Sequence, residues 1–237
     1  MNNNWAPPKR PTVYAEEALI EAVLNGKYPP GSTLPGERDL AVQLGVTRPT
    51  LREVLQRLAR DGWLTIRHGK PTVVNDYWRE GGLNVLSGLV RYNRELPVDF
   101  VPNLLEVRLA MAPAYARAAV ERSAPAVVEL LAAHADLPDT SEAFASYDWE
   151  LHHTLTLASR NPVYTLMLNG FGSFYARMAR LYFSNPGARA VSRRYYQNLL
   201  DAARRHDGIE AERITRAVMF ESISLWKAAE AQMGGAE

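Results

Sequence analysis

The sequence predicts a mainly α-helical chain in two parts. The N-terminal part carries one small β-hairpin, and the longer C-terminal part is all helix. Three observations carry this expectation. Apolar residues recur at helical spacing through most of the chain. Period-two patterning shows at Trp63-Leu64-Thr65-Ile66 and Thr72-Val73-Val74, and nothing beyond residue 80 reads as a strand. Breakers cut the rest into helix-length pieces at Ser123-Ala124-Pro125, Pro138, Asn161-Pro162, Asn185-Pro186-Gly187 and Asp207-Gly208.

Taken in order, the first predicted helix covers 14–25. Leu19, Ile20, Val23 and Leu24 form its apolar stripe, and Gly26 stops it. Tyr28-Pro29-Pro30-Gly31 reads as a turn. A short helix over 37–44 ends at Gly45. The next, over 47–60, puts Leu51, Val54, Leu55 and Leu58 on one face, with Thr47 as its cap. Pro49 falls in the first turn, where its missing N–H has no intrahelical partner. The two short strands follow, with Arg67-His68-Gly69-Lys70-Pro71 as the turn between them. The polar stretch NDYWREGG then marks a boundary. The expected domains are therefore 1–75, a linker over 76–82, and a bundle over 83–237. Seven helices are expected near 82–92, 99–122, 125–136, 141–159, 162–183, 188–206 and 208–232.

The chain has 237 residues, 47% apolar and 22% charged, which is ample for a buried core and argues against wholesale disorder. It has no cysteine, which excludes a disulfide scaffold, a thiol nucleophile and every thiolate metal site. The first residues have no apolar core of the kind a secretory signal needs. The longest notable uncharged run, 161–176, is too short and too polar to span a bilayer. A soluble, cytoplasmic protein with no membrane partner is expected. The net charge of +1 hides an asymmetry, because residues 47–70 hold six basic residues against two acids. That segment is the candidate for nucleic-acid contact.

Two short helices joined by Leu44-Gly45-Val46 form a helix-turn-helix candidate. Leu40, Leu44, Val46, Leu51 and Leu55 are the residues for its inner faces. The second helix then shows Thr47, Arg48, Thr50, Arg52 and Gln56 outward near its N-terminal half, where a recognition helix meets base edges. Arginine suits a guanine edge through its fork, and threonine suits phosphate or a thymine methyl. The hairpin would be a wing, with His68 and Lys70 at a tip narrow enough for the minor groove. A solvated amphipathic helix beside an unrelated hairpin is the competing reading, and the order of the four features weighs against it.

Here the residues resemble a family. Leu34-Pro35-Gly36-Glu37-Arg38-Asp39-Leu40-Ala41, Leu44-Gly45-Val46-Thr47-Arg48 and Leu51-Arg52-Glu53 look like the winged helix of GntR-type transcription regulators. The run TLREVLQRLARDGWLTIRHGKPTVVN is closer still to the fatty-acid-responsive FadR branch. The likeness continues through Val107-Arg108, Ala158-Ser159-Arg160-Asn161-Pro162, Tyr182-Phe183-Ser184-Asn185-Pro186 and Glu221-Ser222. It implies a homodimer on a double-stranded DNA operator, with a helical bundle that binds long-chain fatty acyl-CoA and thereby releases the DNA. The implied output is repression of fatty acid degradation genes, with activation of synthesis genes beside it. No enzyme activity and no cofactor are implied. Family DNA contacts carry over onto Arg38, Thr47, Arg48, Thr50, Arg52, His68, Gly69 and Lys70. Pro49 departs from a family threonine and can donate no hydrogen bond. Ligand positions carry over onto Arg108, Tyr182, Glu221, Ser222 and Trp226. The resemblance would set Arg108 against a CoA phosphate or carbonyl oxygen, and Ser222 and Tyr182 near the thioester. Val218 and Met219 stand where the family has Tyr and Gly, so the depth of the chain or the pose of CoA is expected to differ.

Asp148 and His152 stand i, i+4 on one helix. The carboxylate-sensing branch of GntR regulators starts a metal site with such a pair and completes it with two later histidines. Tyr196 and Phe220 occupy those places here, which weighs against metal; a hydrogen bond on a helix surface is the plainer reading. No Gly-rich phosphate loop and no Gly-x-Ser-x-Gly elbow is present, and the adjacent pair Glu16-Glu17 reads as helix surface. Two alternatives stay open behind the acyl-CoA regulator. One is a regulator of metal-bound small carboxylates, and the other is an acyl-CoA enzyme with an accessory DNA-binding domain.

Overall fold

The computed structural model describes residues 10–92 and 99–234. Residues 1–9, where the sequence has no signal-like apolar core, lie outside the described residues. Two compact units divide between Leu96 and Pro97.

The N-terminal unit opens with α1 (Pro11–Leu24). It begins three residues before the predicted start, because Pro11 is tolerated in a first turn and its φ is already helical. α1 buries Ala15, Leu19, Ile20, Ala22 and Val23. α2 (Glu37–Leu44) ends in a left-handed Gly45, φ 65°, and the Val46 N–H returns to the Ala41 carbonyl at 3.0 Å. α3 (Arg48–Asp61) is capped by the Thr47 hydroxyl, which accepts from the Thr50 N–H at 3.3 Å. Its buried face is Leu51, Val54, Leu55 and Leu58, the stripe predicted from spacing.

β1 (Leu64–Thr65) and β2 (Val73–Val74) pair antiparallel, Leu64 opposite Val74 and Thr65 opposite Val73. Each strand is shorter than its sequence pattern. The segment before α2 lies along the other edge of β2, as the Thr33–Val73 bridge shows, with the Leu34 N–H on the Thr72 carbonyl at 2.9 Å. No alternation announces that third partner. The expected linker holds one helical turn, α4 (Tyr77–Glu80), whose Tyr77 ring lies 5.2 Å from that of Trp63. α5 (Leu83–Tyr92) packs against α1 and α3, so a segment the sequence assigned to the bundle sits with the winged helix. The contact is close: Trp63 is buried, and a Cβ added to Gly88 would meet its ring at 2.6 Å.

The described residues of the C-terminal unit form helices and the turns that join them. α6 (Phe100–Ala132) carries one non-helical residue, Ser123, at φ −156° and ψ 44°. The predicted break at 123–125 is thus a kink within one long helix, caused by Pro125, which cannot bond back into the preceding turn. A turn of 3₁₀ helix, Ala133–Asp136, follows. Next come α7 (Ser141–Ala158), α8 (Pro162–Phe183), α9 (Pro186–Arg204) and α10 (Gly208–Gly234). α8 and α9 start alike. An Asn side chain caps each, Asn161 onto the Val163 N–H at 3.1 Å and Asn185 onto the Gly187 N–H at 2.8 Å, and proline takes the next position. α6 packs on α7, α9 and α10, and α7 packs on α8. Leu131, Phe144, Leu151, Leu155, Tyr196 and Leu199 lie at the centre of the core.

Candidate functional site

The first site is the outer face of the winged helix. Arg38, Arg48 and Arg52 are all exposed. Arg52 donates from Nε to Glu37 Oε2 at 2.6 Å, which ties α3 to α2 and orients the guanidinium. Arg38 bonds through Nε to Asp39 at 3.2 Å. A guanidinium carries five N–H donors, so an Nε bond is compatible with a terminal fork turned outward. Thr47 and Thr50 work locally: their hydroxyls lie 2.9 Å apart at the start of α3, inside the cap. Their first duty is to the helix terminus. Pro49 occupies the second helical position and does not disturb it. At the wing tip, His68, Gly69 and Lys70 are exposed, the Lys70 N–H closes the turn onto the Arg67 carbonyl at 3.2 Å, and Gly69 has φ 68°. That left-handed backbone is where glycine is favoured.

The second site is a cavity of about 110 Å³ inside the C-terminal unit. Apolar side chains of α6 and α8 make most of its wall, among them Leu104, Met111, Phe171, Phe174 and Met178. Arg108, Tyr182 and Trp226 line it too, so three of the five expected ligand residues meet there. Ser222 is reached through Tyr182, whose hydroxyl donates to Ser222 Oγ at 3.0 Å; Ser222 in turn donates to the Val218 carbonyl at 2.8 Å. Glu221 is not brought in. Its carboxylate takes both oxygens to Arg194 at 3.1 Å on the outside of α9. Val218 and Met219 are buried in the bundle core and do not line the cavity.

Arg108 has a protein partner. Its guanidinium bonds Asp148 Oδ2 at 2.6 Å, with the carboxylate almost fully buried. Tyr175 donates to the same oxygen, and the Tyr196 hydroxyl reaches Oδ1 at 3.5 Å. Burial alone would raise the Asp148 carboxyl. The adjacent Arg108 charge, with help from His152 and the Tyr175 bond, outweighs it and holds the group below its ordinary range. Burial likewise works against the Arg108 charge, and Asp148 more than restores it. His152 is fully buried beside them, its Nδ1 2.7 Å from the Tyr115 hydroxyl. Burial first, and the Arg108 charge second, lower its value from 6.5 to about 3, so it is neutral.

The surface reading of the Asp148–His152 pair is therefore corrected: both face the core of the bundle. The helical stripe of α7 includes them because Arg108 and Tyr175 hold the Asp148 carboxylate and Tyr115 bonds His152 Nδ1, from α6 and α8. Tyr196 joins this cluster, whereas Phe220 is 65% exposed and takes no part. Among the described residues, no group of three or more His, Cys, Asp or Glu stands together in a way that could hold a metal ion. The i, i+4 spacing was the one sequence signal for this cluster. Tyr115 and Tyr175 stand on other helices and give no local sign of it.

Comparison with known proteins also divides the chain in two, with the boundary at residues 74 and 75, before α4 and α5. The model for bacterial regulatory proteins of the gntR family matches residues 11–74, and that for the FadR C-terminal domain matches 75–236. The fatty acid metabolism regulator protein of Shewanella sp. (strain MR-4) is 45% identical over 218 residues, covering 92% of this chain and 90% of that protein. The protein of the same description from Edwardsiella ictaluri (strain 93-146) is also 45% identical, over 91% and 90%. Among solved structures, Lar, which controls the expression of the Listeria monocytogenes agr system, aligns with a TM-score of 0.60 over 93% of this chain and 98% of its own. At 17% identity that likeness is one of fold alone. The chain belongs to the GntR family of bacterial regulatory proteins, with a FadR C-terminal domain, and is a transcription regulator rather than an enzyme.

Proposed function

We propose that this regulator controls genes of fatty acid metabolism from the cytoplasm, binding a pseudo-palindromic operator as a homodimer and leaving it when long-chain fatty acyl-CoA occupies the bundle. Relatives at 45% identity are named for the first part of that reading. The observation that carries the second is the apolar cavity, whose wall of Leu, Met and Phe side chains suits an alkyl chain. Each methylene buried there adds about 0.8 kcal/mol.

The cavity is smaller than the roughly 300–1,000 Å³ of a typical ligand pocket, so a long chain enters by moving its walls. Met111 and Met178 are adaptable. Arg108 and Tyr175 are not, being bonded to buried Asp148. A ligand that displaces them selects a different arrangement of the bundle, and it releases DNA to the extent that it prefers that arrangement.

The test is a gel shift on a pseudo-palindromic operator titrated with CoA, octanoyl-CoA and oleoyl-CoA. Release by oleoyl-CoA at the lowest concentration, with CoA inert, is the expected outcome. Equal potency of all three would remove the chain from the mechanism. Release by a small carboxylate with a divalent metal, and by none of the three, would favour the carboxylate-sensing alternative.

A further inference from the structure

Two residues that line the cavity, His152 and Trp226, each hold a ring nitrogen, Nε2 and Nε1, that is buried without a hydrogen-bond partner among the described residues. His152 is fully buried on α7, and Trp226 is 7% exposed on α10. An indole nitrogen can only donate. The histidine is a donor there as well. Among the described residues the Tyr115 hydroxyl meets one acceptor, His152 Nδ1 at 2.7 Å; donating to it satisfies the O–H and leaves the ring proton on Nε2. The charge on Asp148 supports that tautomer, because Oδ1 lies 3.7 Å from Nε2. At that distance the carboxylate attracts the N–H but does not bond it. Arg108, Tyr175 and Tyr196 already hold the carboxylate.

Buried donors without acceptors are uncommon because each forfeits its hydration. A Phe or Leu at either place would close the wall without that cost. The two residues that carry these donors, on two different helices, both line one cavity.

We propose that His152 and Trp226 donate to an oxygen of the bound acyl group, and so determine specificity for a ligand that carries an acceptor inside the cavity. The proposal rests on the reading of the cavity as an acyl-CoA site. The shared chemistry is a hydrogen-bond-accepting oxygen, brought either by the thioester carbonyl or by a hydroxyl on the chain. A plain alkyl segment against these nitrogens leaves them unpaired; an oxygen there satisfies them. A site built round a buried hydrogen bond rejects the analogue that lacks it.

Calorimetry on the full chain with three ligands of equal chain length tests this: hexadecanoyl-CoA, S-hexadecyl-CoA, which has a methylene in place of the carbonyl, and β-hydroxyhexadecanoyl-CoA. The wild type should prefer the first to the second, or the third to the first, by roughly three- to tenfold. The first preference assigns the carbonyl, and the second assigns a chain oxygen. His152→Phe and Trp226→Phe should each shrink the ratio of hexadecanoyl-CoA affinity to S-hexadecyl-CoA affinity, whatever their effect on S-hexadecyl-CoA itself. Because His152→Phe strands the Tyr115 hydroxyl, the pair Tyr115→Phe/His152→Phe, which removes both partners, serves as its second form. A wild type that binds all three alike, or variants that keep the preference, would overturn the proposal and leave the acyl-CoA reading standing. A wild type that binds none of them would overturn both.

Discussion

At the scale of single residues, the pairing of Arg108 with buried Asp148 makes the strongest demands. Removing one partner of a buried ion pair leaves the other charged in a low-dielectric site, at about 3–5 kcal/mol. Arg108→Ala should therefore lower the stability of the protein by that amount in urea denaturation, besides any effect on ligand response. A loss under 1 kcal/mol (roughly the range of an exposed pair) would mean that water reaches the carboxylate. His152 adds a pH dependence of definite sign. Its value falls from 6.5 in the unfolded chain to about 3 in the native one, so between those values the unfolded chain takes up a proton that the native chain refuses. The stability tied to neutral His152 is complete above that window and is lost as pH falls through it. Asp148, also held low, adds a loss in the same direction under more acid conditions. The melting temperature should fall as pH drops from about 7 to about 4. The double variant Tyr115→Phe/His152→Phe should flatten that slope, and an unchanged slope would locate the titration elsewhere.

At the scale of elements, α3 depends on its first turn and α5 on one close contact. Thr47→Ala removes the hydroxyl that accepts from the Thr50 N–H and should cost about 1 kcal/mol. Any loss of DNA affinity in that variant is then measured against a weakened helix start, because the Thr47 hydroxyl caps α3. Arg48 has no such double role. Arg48→Ala should leave the thermal transition in place and reduce the preference for operator over random DNA by ~1–3 kcal/mol, read from competition binding. An unchanged preference would move the recognition surface off α3. Gly88→Ala would set a methyl against the buried Trp63 ring, at 2.6 Å from Cζ2, and should destabilise by ~1–3 kcal/mol as overpacking. If Gly88→Ala is neutral, α5 moves freely on the winged helix.

At the scale of the whole molecule, the two binding events are linked by thermodynamics. If acyl-CoA lowers operator affinity by a given factor, operator lowers acyl-CoA affinity by the same factor, typically ~1–3 kcal/mol. Calorimetry of oleoyl-CoA with and without operator should return the coupling seen by gel shift. Unequal factors would mean that a third species, such as dissociated protomers, carries part of the effect. Operator affinity should also fall steeply with salt, by about 0.9 log units of affinity per log unit of salt for each neutralised phosphate. Two protomers per operator are expected, since identical winged helices read inverted half-sites.

By itself the sequence determined everything whose cause is local. The Asn161-Pro162 and Asn185-Pro186 pairs place helix starts because cap and proline act on adjacent residues. Gly45 and Gly62 place helix ends because each takes up a left-handed backbone. The buried stripe of α3 follows from its 3.6-residue period. Spacing and charge pointed to the outer face of α3 and to the wing, and likeness to a known family pointed to the same residues. What the tertiary structure alone decided concerns partners distant in sequence. The Thr33–Val73 bridge adds a third edge to a two-strand pattern too short to predict it. α5 packs with the winged helix because Gly88 admits Trp63, a fit that no periodicity encodes. Asp148 and His152 look like a surface pair until Arg108, Tyr115 and Tyr175 arrive from other helices to bond the carboxylate and one ring nitrogen. Spacing reports which face of α7 they share; whether that face can be buried depends on charges and hydroxyls that only the packed bundle brings within bonding distance.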